Sequence, residues 1–268
     1  MNYIQKLMSI PVKTTTKLRS ISLYKVMALF VVYKYASLYQ STRKKSSITF
    51  KERWEDGTKN TLITDSGVIH EHFHPSLLMM PGTAQTLYAA IVNLETPNYD
   101  RELLKLPDEG QITLQSLIHP KESKGIIVIV PGVCGDGSAS YIVNTVNDAY
   151  KKGYSAVVVN HRGCCDTKLL TPRSYHAGSS FDTKIAIDYL RDKFPDQPLY
   201  GIGFSLGSNI LGRYLGEEAD LSKLSGAILV WCPYSGLEAS VYSEKSWFGL
   251  ISRYLAYNIK NIFLKSPE

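Results

Sequence analysis

The sequence predicts an α/β fold built on a mostly parallel sheet with an antiparallel hairpin at its start, and three observations carry that prediction. From Arg101 onward, short apolar runs alternate with segments of helical period. The first two strand-like runs are separated by a turn signal, whereas the later ones are separated by helices, as parallel strands require. A Gly-Phe-Ser-Leu-Gly pentapeptide, Gly203 to Gly207, joins one apolar run to the next helix.

Each element has its own warrant. Residues 102–106 and 111–119 flank Pro107-Asp108-Glu109-Gly110 and read as an antiparallel hairpin. Residues 125–130 form an uninterrupted apolar run, the pattern of a strand buried on both faces. Residues 140–152 have helical period and stop at Gly153, and residues 155–160 give a second buried strand. Residues 181–193 are helical and closed by Pro195. Residues 199–202 lead into the pentapeptide, 209–218 form the helix after it, and 227–232 one further strand. Past Pro233 the chain is aromatic, amphipathic and helical in period. The organisation read from this is a basic arm at 1–51, a linker and lead-in at 52–100, an α/β core at 101–234 and a last segment at 235–268, which the resemblance given below makes a partial cap region.

At 268 residues, 44% apolar and 20% charged, the chain is large enough for one well-buried core. Its net charge of +6 is unevenly placed: residues 1–51 hold ten Lys or Arg and no acid, so the remainder is acidic. The basic character belongs to the arm, and a nucleic-acid-binding body is not indicated. Within the arm, the apolar stretch 26–33 lies between Lys25 and Lys34 and continues through Tyr35, Ala36, Leu38 and Tyr39. Three readings fit: a membrane anchor over about 21–39, spanning or interfacial, if the lysines snorkel; a mitochondrial presequence; or a basic tail packed on the body. The first gives a single-anchor endomembrane location, the second a mitochondrial one. Cys134, Cys164, Cys165 and Cys232 lack metal-ligand spacing and read as buried or pocket-lining thiols of a reducing compartment.

The pentapeptide carries the chemistry. A serine on a sharp strand-to-helix turn is lifted clear of the sheet, and the flanking Gly203 and Gly207 leave room for the neighbouring backbone. Ser205 is the expected nucleophile. Oxyanion donors are expected from the Leu206 N–H, at the helix start, and from the Val133 N–H in the glycine-rich loop Pro131 to Gly137, which Gly132 shapes. No cofactor or metal is called for. The six histidines, at 70, 72, 74, 119, 161 and 176, all precede Ser205. Asp220 reads as a surface acid. His161, five residues before Asp166, reads as a structural histidine rather than a base, and His70, His72 and His74 as a polar strand edge.

Together, Pro81 to Tyr88, Pro131-Gly132, Asn160-His161-Arg162-Gly163-Cys164, Leu170-Thr171-Pro172-Arg173, Gly203 to Leu211 and Tyr214 to Glu218 resemble the AB hydrolase 4 family of α/β-hydrolases. The resemblance implies an α/β-hydrolase fold, Ser205 as nucleophile, a lipid ester as substrate, and hydrolysis or transfer of its acyl group. Some departures stand out. Gly82-Thr83-Ala84-Gln85-Thr86 replaces the family's Gly-His-Leu-Gln-Thr, Ser208 replaces a glycine, and the family's Asp- and His-bearing last strands have no counterpart. Three functions follow: a serine lipase or esterase, a catalytically inactive membrane-associated binding protein, or a lipid acyltransferase. A sheet without those strands is expected to expose an edge and to make the isolated chain prone to aggregate.

Overall fold

The computed structural model describes residues 23–42, 57, 58, 61, 76, 79, 84, 85, 88, 89, 92, 94–120, 122–245 and 249–264. His70, His72 and His74 lie outside them, as do most of the linker and the Pro81-Gly82-Thr83 segment. The chain divides into two units, Met1–Tyr88 and Ala89–Glu268, a division inside the 52–100 lead-in.

In the first unit, the stretch between and beyond Lys25 and Lys34 forms helix α1 (Leu23–Thr42). Val26, Met27, Leu29, Phe30, Val31 and Val32 are exposed on it. Of the readings open for this segment, a spanning helix finds no support: among the described residues no helix is long and apolar enough to cross a membrane. The lysines and the polar residues after Tyr39 interrupt the apolar run before it reaches the roughly 20 residues a bilayer requires.

Among the described residues the second unit holds six strands, β1 (Asp100–Lys105), β2 (Gln111–Leu117), β3 (Ile126–Val130), β4 (Ser155–Asn160), β5 (Leu199–Phe204) and β6 (Gly226–Val230). Helices α2 (Ser140–Lys151), α3 (Phe181–Lys193) and α4 (Leu206–Glu218) connect them, and α5 (Gly236–Lys245) and α6 (Leu250–Leu264) follow. The strand order is β1-β2-β4-β3-β5-β6. β1 and β2 form the hairpin, β2 meets β4 antiparallel, and β4, β3, β5 and β6 run parallel.

The sheet is buried on both sides by residues that alternate along each strand. Val157 and Val159 join Ile126, Val128 and Leu114 against Ile187 and Leu190 of α3 and Leu211 and Tyr214 of α4. Ala156 and Val158 point the other way, with Ile129, against Ile142 and Val146 of α2. A fully buried side chain of this kind contributes about 2 kcal/mol, which is why the central runs carry no polar alternation. β6 is different: Ile228 is 61% exposed, and beyond it Trp231 is 78% exposed.

Arg162 locks the hairpin to the helical layer. Its side chain is 1% exposed, with Nε 2.6 Å from Asp182 Oδ2 on α3 and Nη1 2.9 Å from Asp108 Oδ2 in the β1–β2 turn. A Cβ on Gly110 would stand 2.3 Å from the guanidinium, so the turn needs a glycine there.

Candidate active site

β3 lies between β4, which follows it, and β5, which follows β4. The chain thus reverses its direction of travel across the sheet at β3, and the loops leaving the carboxyl ends of β4, β3 and β5 lie side by side. In open parallel sheets that reversal opens a crevice. The three loops carry His161, Val133 and Ser205 respectively.

Ser205 sits between β5 and α4 at φ 50°, ψ −117°, a conformation that side-chain-bearing residues rarely adopt. Such a residue stores about 1–3 kcal/mol of strain. The surroundings hold it there. Its N–H donates to the Val230 carbonyl at 2.9 Å, and its carbonyl accepts from the Ser208 N–H at 3.0 Å and the Asn209 N–H at 3.2 Å. Ser208, fully buried, adds its hydroxyl to that carbonyl at 2.5 Å, a bond that a glycine at this position could not make. Both elbow glycines are forced by space: a Cβ on Gly203 would be 2.5 Å from Ser208 Cα, and one on Gly207 would be 2.2 Å from the Val130 and Pro131 carbonyl oxygens. Ser205 itself is exposed, at the rim of the crevice.

The loop after β3 comes close to the serine. A Cβ on Gly132 would lie 3.4 Å from Ser205 Cβ. Val133 and Leu206, the two residues whose N–H groups are the expected oxyanion donors, line one cavity of about 250 Å³ with Tyr175, Ile259, Ile262 and Phe263. Helix α6 supplies the apolar wall. On the other side of Ile262 a larger space, about 420 Å³, is lined by Cys134, Asp136, Cys164, Cys165, Asp166, Lys168, Asn258 and Asn261. The two spaces share Ile262, which packs on Gly163.

His161 is buried, its Nε2 lies 2.9 Å from the Pro131 carbonyl, and its ring stacks on Tyr175 at 4.3 Å. Because a carbonyl only accepts, Nε2 carries the proton. Burial holds the imidazole below its usual pKa range, so it is neutral at pH 7. This is a structural histidine. Asp220 falls in a 3₁₀ turn (Ala219–Leu221) and is exposed. Among the described residues no histidine is hydrogen-bonded to the Ser205 hydroxyl.

The four cysteines are free thiols. Burial raises the pKa of Cys134 and Cys165 and pushes Cys164 up to about 12, so these three stay protonated and weakly nucleophilic. Among the described residues no cluster could hold a metal ion. The sequence did not single out Tyr141 and Tyr175, the side chains that grip the loop after β3, or Ile262.

A family described as alpha/beta hydrolase fold matches residues 125–261, from the lead-in to β3 through most of α6. The chain belongs to the α/β-hydrolase fold family. Among its relatives, the Homo sapiens protein named phospholipase ABHD3 is 26% identical over 237 residues, 85% of this chain and 57% of that protein. A Saccharomyces cerevisiae protein named monoacylglycerol lipase is 36% identical over 133 residues, 49% of this chain and 30% of that protein. The Pyrococcus furiosus esterase Pf2001 shares the fold at a TM-score of 0.51 and 17% identity, over 64% of this chain and 66% of that structure. This α/β-hydrolase chain thus spans about half the length of the curated relatives it matches, 57% and 30% in these two cases.

Proposed function

We propose that this α/β-hydrolase is a serine hydrolase of lipid esters that works through an acyl-enzyme on Ser205. The observation that carries the reading is the strained serine at φ 50° whose successor, Leu206, shares an apolar cavity with Val133. The Ser205 hydroxyl adds to the ester carbonyl, and the developing oxyanion is received by the Val133 and Leu206 N–H groups. An alcohol leaves, and water then releases the acid. In the proposed step a general base takes the proton from the Ser205 hydroxyl as it adds and returns it to the oxygen of the departing alcohol, then does the same for the attacking water.

The substrate class follows from the walls. The apolar cavity against Ile259, Ile262 and Phe263 suits an acyl chain, and the polar space beyond Ile262 suits the head of an amphiphile. The relatives named phospholipase and monoacylglycerol lipase support a lipid ester. The basic residues of the first 51 positions favour association with an anionic membrane surface.

Treatment of the chain with a fluorophosphonate, followed by peptide mapping, tests the reading. Phosphonylation of Ser205 that disappears in Ser205→Ala supports it. No labelling of the folded chain refutes it, and favours instead a binding protein that retains the fold without the chemistry. Acyl transfer is separated from hydrolysis by adding a lipid alcohol and identifying the product.

A further inference from the structure

The loop Pro131 to Gly137 is gripped at successive peptide groups by side chains from different parts of the fold. The Pro131 carbonyl accepts from His161 Nε2 at 2.9 Å. The Gly132 N–H donates to Tyr141 Oη, on α2, at 3.1 Å. The Cys134 N–H donates to Tyr175 Oη at 2.9 Å, and the Gly135 N–H closes the turn onto the Gly132 carbonyl at 3.1 Å. The Val133 N–H lies between two amides that are already committed. Among the described residues no hydrogen bond is made to it, and Val133 faces the cavity it shares with Leu206.

We propose that Tyr175 and His161 are positioning residues that clamp this loop so that Val133 presents its one uncommitted N–H to the oxyanion. This inference rests on the proposed acyl-enzyme reaction at Ser205. The two rings act as a unit, stacked at 4.3 Å with their planes 11° apart. One fixes the loop through a carbonyl and the other through an amide three residues on. Tyr175 Oη accepts from the Cys134 N–H while its own hydroxyl points to Cys134 Sγ at 3.7 Å, so the phenol is tied to one residue through both backbone and side chain. Cys134 itself is at φ 57°, a left-handed conformation for a residue with a side chain. Without the phenol oxygen, the Cys134 N–H has no hydrogen-bond partner among the described residues, and only the Gly135-to-Gly132 turn bond spans that peptide. An oxyanion donor that must find its orientation during the reaction loses the benefit of preorganisation.

The test has two independent readouts on the full chain. Residue-resolved amide hydrogen exchange should show Gly132 and Cys134 protected and Val133 exchanging at least tenfold faster than either. Tyr175→Phe keeps the stack on His161 and removes the acceptor. It should abolish the protection at Cys134 and slow phosphonylation of Ser205 by a fluorophosphonate about tenfold, with a single cooperative unfolding transition retained. His161→Leu should slow the same reaction, and His161→Gln, whose amide can still donate to the Pro131 carbonyl, should restore part of the rate. Val133 as protected as its neighbours, or a Tyr175→Phe chain within twofold of the parent in both readouts, overturns the proposal. If Ser205 of the parent chain does not react, the proposed function fails, and the exchange pattern alone then decides whether the clamp exists.

Discussion

The α-carbon of Gly207 approaches the Pro131 carbonyl so closely that a Cβ on it would stand 2.2 Å from the oxygen. The first turn of α4 therefore rests on the end of β3 backbone against backbone. That contact brings Leu206 into the same cavity as Val133. In Gly207→Ala the helix must withdraw. We expect a loss of about 3 kcal/mol, the upper range for overpacking, together with loss of fluorophosphonate labelling. Urea unfolding monitored beside labelling checks both, and a stable, fully reactive variant contradicts the contact.

Ser205 carries its strain in the backbone, so the two simplest substitutions should differ. Ser205→Gly removes the penalty at φ 50° at some cost in chain entropy, for a net gain of about 1 kcal/mol. In a domain of this size that raises Tm by about 2–4 °C. Ser205→Ala keeps a Cβ in the same conformation and should stay within about 0.5 kcal/mol of the parent. Calorimetry on the two variants gives the comparison, which equal melting temperatures would spoil.

The buried guanidinium makes stability depend on acid pH. A hydrogen bond from Arg162 is the main cause holding the Asp108 carboxyl below the usual carboxylate range. A carboxylate depressed in the fold contributes stability above its unfolded value of about 4, and the contribution is lost as the pH falls through the folded value. Melting temperatures should fall from pH 5 downward. Asp108→Asn should be less stable by about 1 kcal/mol at pH 7, allowing for its partial exposure, with a shallower acid limb. Arg162→Ala leaves the Asp182 carboxylate uncompensated and Asp108 with only Arg173 Nη1, 3.4 Å away, and should cost about 3 kcal/mol.

Gly163 governs the docking of α6. It lies at φ 75°, and a Cβ there would be 2.4 Å from Ile262 Cγ2. Gly163→Ala should loosen α6 at a cost of about 1–3 kcal/mol. Hydrogen exchange in α6 should then accelerate while α3 and β4 remain protected. Unchanged exchange in α6 would show that Ile262 has room to give way.

How much of this could be read in advance depended on whether the cause was local. β4 falls at the predicted residues because Ser155–Asn160 is buried throughout, leaving composition to set its limits. The hairpin, read at 102–106 and 111–119, instead runs Asp100–Lys105 and Gln111–Leu117. Its second strand stops where Leu117 pairs with Ala156, a limit imposed by a distant strand. The region after Pro233, read as helical throughout, gives α5 and α6, with Gly249 at φ 73° just before α6. Ser205, Gly203 and Gly207 were legible because the elbow's steric demands fall within five consecutive residues. Tyr175 was not, because its partner Cys134 is 41 residues away and no spacing announces the contact.

The strand order also sets a timetable for folding. β1 and β2 can pair as soon as their short turn closes, an event of microseconds. β3 cannot gain either neighbour so cheaply: its partner β4 begins only after α2, and its partner β5 only after α3 as well. The carboxyl ends of β3, β4 and β5, from which the gripped loop, His161 and the elbow all emerge, are therefore assembled from long-range pairings. The backbone that holds Ser205 depends on the last of these pairings as well, since its N–H bonds Val230 on β6, one crossover beyond β5.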